Sequence, residues 1–543
     1  MRGVAVSFNV FVTSRVGAEG MGLLNLTQSV YGFAITLATS GINLAVVRLV
    51  SGALPYGNEG YFDKKADRRV RKIMVSALFY CLFFSLLSSV LLYCGAEVIG
   101  THALGDRRTV SSLKILAFTL TPISLSSALN GYFNAVRRVY KSVVVQICEQ
   151  GAKITVVSAL LVLIAPRGLE YACVAVVAGG AVSEAVCVII SATLYFFDRR
   201  IHKNQKFMIK SNGNTDTSPD FSYAKATTKG CFFAFTTRDE KPRDERSTAK
   251  STVLSIALPV AVSAYVRSAL LTIEHLAIPW GLKRSGASAS EALASYGVLH
   301  GMVFPILLFP SAVLSSFSSL LIPELSAAQE QGDRGRIESI VSSVFTYALI
   351  FGIGVSGIFV CYASELGVYI YKSKEAAEFI RLLAPLIPLM YLDTAVDSML
   401  KGLGEQLYTM RVNIADAFIS VLLVITLLPG MGIHGYVIVI FIMELFNTSL
   451  SIIKLLNITN VKTPVIRWVF KPLLCVILST ASAKLLFTLD SVYNPLGRVF
   501  NQRAIFFVEI SLCALLYLFY TKLFCKKSQR RENEIKGKKG LFC

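Results

Sequence analysis

Arg267 and Glu274 stand seven residues apart, two turns along one helical face, inside a stretch that is otherwise apolar from 252 to 280. Ionised groups in such a setting are costly, which makes each a functional candidate by default. The Arg267 guanidinium presents five donors in a planar fork suited to a phosphate, and His275 follows Glu274 directly. Further on, Asp393, Asp397 and Lys401 form an i, i+4, i+8 stripe. Glu149 and Lys153 are four apart and can neutralise each other as a buried pair that fixes packing. Asp416 has no cation at i±4 in its own stretch, and Glu184 and Glu444 are isolated acids in two others. Arg48 lies near the end of its stretch, where a long side chain can snorkel to the surface.

Catalytic motifs are missing around these charges. The chain has no HExxH, GxSxG, P-loop or CxxC, and His102, His202, His275, His300 and His434 lack metal-ligand spacing. Asp393 and Asp397 do not make the clustered acidic motif that binds magnesium diphosphate in prenyl-transfer enzymes. Eleven cysteines, among them Cys81, Cys148, Cys187, Cys475 and Cys513, read as small apolar residues of a reduced protein. The expectation is no enzyme, no metal and no cofactor, with a coupling ion or the membrane potential left open.

The elements that must position the charges are membrane spans. Of 543 residues 54% are hydrophobic and only 16% charged, where a soluble globule carries about 25% charged residues. Apolar stretches of 18 to 30 residues recur along the chain, each able to cross a hydrocarbon core of about 30 Å. This excludes a disordered chain, a soluble enzyme and a secreted disulfide scaffold; an outer-membrane barrel is excluded too, since its strands alternate over about ten residues. Fourteen spans are expected, at 3–14, 29–50, 74–94, 113–132, 142–165, 171–197, 252–280, 296–321, 339–362, 379–400, 412–428, 432–453, 468–488 and 504–521. The first is short for a span, and the sequence-based expectation is that the physiological chain begins about 10 to 20 residues upstream. With the N-terminus inside, 36 of the 54 Lys and Arg residues fall in inside segments and ten in outside loops. Both termini are therefore expected in the cytoplasm of a multi-pass plasma-membrane protein. The net charge of +20 then reflects topology and attraction to anionic membrane lipids, not a nucleic-acid partner.

Two halves of this all-α chain look related. At a shift of 267 residues, Leu113-Lys114-Ile115-Leu116-Ala117 lies over Ile380-Arg381-Leu382-Leu383-Ala384, Gln146 over Asn413, Glu149 over Asp416 and Gly168 over Gly435. Two six-span units entering from one side are expected, with the substrate between them. The expected divisions are 1–197, an N-terminal lobe; 198–250, a cytoplasmic linker; 251–455, a C-terminal lobe; 456–525, two further spans; and 526–543, a basic tail. Pro122, Pro259, Pro305, Pro310, Pro385 and Pro388 supply bends.

Gly17-Ala18-Glu19-Gly20-Met21-Gly22-Leu23 leads to Val30-Tyr31, then Thr36-Leu37-Ala38-Thr39-Ser40-Gly41-Ile42, closed by Arg48-Leu49-Val50. Tyr296-Gly297 is followed by His300-Gly301-Met302, Pro305, Pro310 and Ile322-Pro323-Glu324-Leu325-Ser326. These strings resemble the two halves of the stage V sporulation protein B family, from about residue 3 to 525. That family is grouped with the lipid II flippase MurJ and polysaccharide exporters in the multidrug/oligosaccharidyl-lipid/polysaccharide superfamily. The resemblance implies a two-lobed, MATE-like fold of about 14 helices; the oligomeric state is left open, with a monomer as the expectation. It also implies a flippase that moves an undecaprenyl-diphosphate-linked saccharide to the outer leaflet by alternating access, for cell-wall, spore-cortex or polysaccharide synthesis. The transferable substrate-binding candidates are Arg267 with Glu274, then Arg15 and Glu19, with Arg48 beside them. The Arg-Asp pair that MurJ-like proteins carry in the first helix is absent between Gly3 and Ser14. The competing readings are an extruder exchanging organic cations for Na⁺ or H⁺, and a membrane-embedded saccharide polymerase or ligase.

Overall fold

The computed structural model describes residues 2–39, 41–53, 64–211, 248–459, 461, 465–493 and 502–539. Among them the chain is helical, without a strand. The N-terminal lobe holds α1 (Arg2–Thr39), α2 (Ile42–Ala53), α3 (Lys64–Val98), α4 (Thr109–Ala135), α5 (Val139–Ile164) and α6 (Leu169–Ser211). The C-terminal lobe holds α7 (Thr248–Arg284), α8 (Ala289–Gly297), α9 (Phe304–Leu308), α10 (Ser311–Glu330), α11 (Arg334–Cys361), α12 (Ala363–Tyr371), α13 (Lys374–Leu383), α14 (Ile387–Gly402) and α15 (Gln406–Thr459). Two last helices, α16 (Val465–Tyr493) and α17 (Gln502–Lys539), pack on each other and on α11.

Glycine bends divide the longest helices. Gly17 (φ 76) splits α1 into arms 2–16 and 18–39, and Gly432 (φ 59) splits α15 into 406–431 and 433–459, both in the left-handed region that glycine tolerates. The second arm of α1 and α2, separated by the left-handed Gly41 (φ 69), fall within one apolar stretch and are counted as one crossing. A π-helical turn, Val298–Val303, joins α8 to α9, and α10 completes that crossing after Pro310. Counted this way, with α13–α14 as one crossing and α12 as a short connector, the described bundle has fourteen. Its outer faces suit lipid: on α3, Phe79, Phe83, Leu87, Val90 and Leu91 repeat at helical spacing and stay exposed, while Met74, Ala77 and Cys81 on the opposite side are buried.

Several boundaries differ from the sequence reading: α3 begins at Lys64, and α17 runs to Lys539, through most of the expected tail. The second crossing starts at 18, not 29, because residues 18–28 continue the helix straight from the Gly17 bend and pack on the other lobe. Likewise α6 extends to Ser211. The expected linker therefore reduces to residues 212–247, which lie outside the described residues, as do 540–543 of the expected tail.

The 267-residue shift reappears in the backbone. Moved by 267, α4 and α5 fall at 376–402 and 406–431, over α13–α14 and the first arm of α15. Left-handed turns recur at the same spacing: Gly105 (φ 67) with Lys372 (φ 55), and Arg137 (φ 60) with Gly404 (φ 78). In each pair one copy uses glycine and the other a basic residue, so the turn is kept where the residue is not.

The lobes meet at one end. There a methyl group on Gly22 would fall 2.0 Å from the Leu293 carbonyl oxygen, and one on Gly297 2.1 Å from that of Ala18, so α1 and α8 touch backbone to backbone. Glu19 stitches the contact: its carboxylate accepts from Arg108 at 2.7 Å and from Ser290 of the other lobe at 2.8 Å. Asp106 holds Arg108 from behind at 2.6 Å. Burial pulls the Asp106 carboxyl upward, but the Arg108 bonds outweigh it and hold the group below its ordinary value. Away from that seal, α2 packs on α3 and α4 of its own lobe and on α7 of the other, while α10 packs on α11 and α14.

Candidate functional site

α7 is the helix between the lobes. It packs along α15 on one side and against α1, α2 and α3 on the other. Thr36 donates to Ser268 at 3.1 Å, and Thr272 to the Ser29 carbonyl at 3.1 Å, which pins α7 to the N-terminal lobe through short polar side chains. The helix thus presents its charges at the interface.

Arg267 and Glu274 part company there. Glu274 accepts from Ser420 of α15 at 2.7 Å, and its charged neighbour is Asp416. Arg267 is exposed and makes no hydrogen bond or ion pair among the described residues. It acts electrostatically on Asp393 of α14 and Asp416 of α15. Two turns along one face placed both residues on the same side in the sequence, but packing against α15 gives the carboxylate a hydroxyl partner instead of the guanidinium.

The wall opposite Arg267 is acidic. Asp393, Asp416 and Glu444 influence one another, and one carboxylate oxygen of Asp393 and one of Asp416 are buried without a hydrogen-bond partner among the described residues. Glu444 is partnered by Thr448 at 3.1 Å. The third member of the α14 stripe is spent locally, since Lys401 pairs with Asp397 at 3.0 Å. Among the described residues no three His, Cys, Asp or Glu side chains cluster as metal ligands would.

The N-terminal lobe is arranged differently. Glu149 and Lys153 form no ion pair within 4 Å among the described residues; Glu184 of α6 feels both, and Glu149 also reaches Cys187. Packing of α6 on α5 supplies these partners, so the i, i+4 pairing read from sequence is replaced by contacts across helices. Arg15 is exposed beside the Gly17 bend, over the Phe11 ring at 5.9 Å. Glu19 is consumed by the seal, and Arg48 is exposed on α2, whose opposite face buries Ile42, Ala45, Val46 and Val50. Arg15 and Glu19 therefore do not join Arg267 in one constellation.

Sequence reasoning passed over a second group. Asp198, fully buried at the end of the α6 crossing, receives Arg138 and Lys141 from the α4–α5 turn and the Tyr132 hydroxyl at 3.3 Å. An acid set among basic residues at the end of an apolar run was the available signal. Ser420, Ser268 and Thr272 gave none, because a hydroxyl inside a helix ordinarily bonds its own backbone.

Comparison with known proteins follows this geometry. Residues 2–240 match the family model described as polysaccharide biosynthesis protein. Stage V sporulation protein B of Bacillus subtilis (strain 168) is 25% identical over 429 residues, covering 78% of this chain and 75% of its own length. An uncharacterized membrane protein, YabM, of the same organism is 22% identical over 422 residues, covering 77% and 70%. Among solved structures, lipid II flippase MurJ in an inward closed conformation superposes with a TM-score of 0.65 at 13% identity, over 97% of each chain. An inward-facing multidrug resistance MATE family transporter gives 0.61 at 14% identity, over 85% of this chain and 95% of that one. The fold is that of the MurJ and MATE transporters. Those neighbours are transporters and flippases, not catalysts, and the likeness extends to a two-lobed, multi-pass membrane architecture.

Proposed function

We propose that this protein carries an undecaprenyl-diphosphate-linked saccharide, lipid II or a polysaccharide precursor, from the inner to the outer leaflet of the plasma membrane by alternating access. The observation that carries the reading is Arg267: an exposed guanidinium on the helix between the lobes, with no ion-pair partner among the described residues. Its planar fork suits a diphosphate through charge-assisted bonds. The prenyl tail remains in lipid while saccharide and diphosphate pass through a polar space between lobes, so no hydrolytic chemistry is needed. In the proposed orientation the end opposite the α1–α8 seal faces the cytoplasm, and outward movement of the diphosphate is not opposed by a negative-inside potential, about 2.3 kcal/mol per charge at 100 mV. The name of one solved neighbour, lipid II flippase MurJ, and the matched family description, polysaccharide biosynthesis protein, support the same substrate class.

A second reading has its own observation. The unpartnered carboxylate oxygens of Asp393 and Asp416 suit a cationic substrate or coupling ion, as in a multidrug extruder. Purified protein in liposomes separates the two. The first reading expects fluorescent lipid II to change leaflet with protein and not without it, and organic cations to stay put. Cation efflux with immobile lipid II would replace it by the second.

A further inference from the structure

His275 of α7 and His300 of the π-helical turn meet edge to face, ring centroids 4.9 Å apart. Each shares a hydrogen bond with a buried tyrosine: His275 Nδ1 lies 3.1 Å from the Tyr296 hydroxyl, and His300 Nε2 3.0 Å from that of Tyr436. Tyr296 also lies over His300, with centroids 4.5 Å apart. The two rings are half-buried, and no step of the proposed transport uses them.

Their position gives them something to act on. A π-turn inserts an extra residue into a helix and recurs at functional sites. This one adjoins the lobe seal: a methyl group on Gly301 would fall 3.0 Å from Asn25 and Met21 of α1, and Gly297, one turn earlier, is the residue pressed on Ala18 and Gly22. A change in the pair therefore reaches the seal within one turn of helix.

We propose that His275 and His300 form a proton-binding site whose occupation loosens the contact between α1 and α8. A neutral imidazole has one donor and one acceptor nitrogen, so each ring can accept from its tyrosine. A proton taken from water turns both nitrogens of one ring into donors, ends that acceptance, and creates a cation beside two buried tyrosines. At 4.9 Å the second ring resists a second proton, so the pair holds one. Few groups compensate it. On α7 the counter-charge is Glu274, which acts on both Tyr296 and Tyr436. From α13, Glu375 is taken by Ser295 at 2.9 Å; α1 offers neutral Asn25 and Met21; from α15 come Tyr436 and, beside Glu274, Asp416. The new cation loses its tyrosine donor and favours a more hydrated position away from the apolar seal, and the π-turn takes up the shift.

The test needs no substrate, so its failure would leave the proposed transport reading untouched. Spin labels at Arg167 and Ala289, exposed positions on the two lobes at the sealed end, report their separation in a protein whose native cysteines are replaced. Acidifying from about pH 8 to about pH 4.5 should populate a longer distance. Asp106 stays ionised in this window, because Arg108 holds its carboxyl low against the opposing effect of burial, so the clamp does not supply the change. His300→Gln keeps hydrogen-bonding capacity but takes no proton, and should keep the pH 8 distance at both pH values. If that variant does not accumulate, His275→Gln carries the same expectation. A pH-independent wild-type distance, or a wild-type response in the glutamine variant, overturns the proposal.

Discussion

Both lobes tie the turn between their fourth and fifth crossings to the end of their sixth, and they do so with opposite charges. In the N-terminal lobe Arg138 reaches Asp198; in the C-terminal lobe Glu405, 267 residues later, pairs with Lys454 at 3.2 Å. The first joint is buried, with Asp198 fully enclosed; the second leaves its partners about one-third exposed. The repeat keeps the place of the joint and not the sign of its charges. Burial, more than pairing, then decides what each is worth, since a half-exposed pair contributes about 0–1 kcal/mol while removing one partner of a buried pair costs about 3–5 kcal/mol.

Breaking the buried joint should have the largest effect. Asp198→Asn leaves Arg138 and Lys141 without their counter-charge, and a loss of about 3–5 kcal/mol should remove most folded protein from the membrane, measured as yield and detergent Tm. Wild-type yield would mean the joint is not structural. Next comes the clamp at the sealed end. Glu19→Gln weakens charge-assisted bonds to Arg108 and Ser290, and a loss of about 1–3 kcal/mol should show as a greater share of open distances between the lobes. The Asp106 carboxyl is held below its unfolded value, so its contribution is present at neutral pH and disappears as pH falls through the lowered value. Asp106→Asn should remove that acid sensitivity, and an unchanged acid transition would count against it. Lys454→Ala in the exposed joint should change stability by no more than about 1 kcal/mol, and a larger loss would erase the contrast between lobes. The smallest effect is a gain: Lys372→Gly relieves a left-handed residue and should raise Tm by an amount worth up to about 1 kcal/mol. A lower Tm would contradict the strain.

How far the sequence could be read follows the same physics. Spans, their approximate number and the 267-residue repeat were legible because hydrocarbon thickness and helix period impose long apolar runs whatever the tertiary contacts. The break at Gly17 and the helix that starts at 18 were not, since Ala18 to Gln28 carries few features of a span until it is seen pressed on α8. Arg267 was legible as an odd charge in an apolar run, whereas its supposed partner Glu274 was assigned by helical spacing alone and turned out to face α15. Partners across helices, such as Ser420 with Glu274 or Tyr436 with His300, depend on packing that no local pattern encodes.

The central claim is that paired charges hold this protein together while the unpaired Arg267 holds its cargo. The most direct measurement is the lipid II flipping rate in liposomes, normalised to protein inserted, for wild type, Arg267→Lys and Arg267→Ala. The lysine variant keeps the charge but loses the fork, and should be slower. The alanine variant should fall further, by about 10- to 100-fold for lost charge-assisted bonds of about 1.5–3 kcal/mol, with unchanged yield and no rescue from Glu274→Ala, whose carboxylate is bonded to Ser420. Wild-type flipping per molecule by Arg267→Ala would contradict the claim.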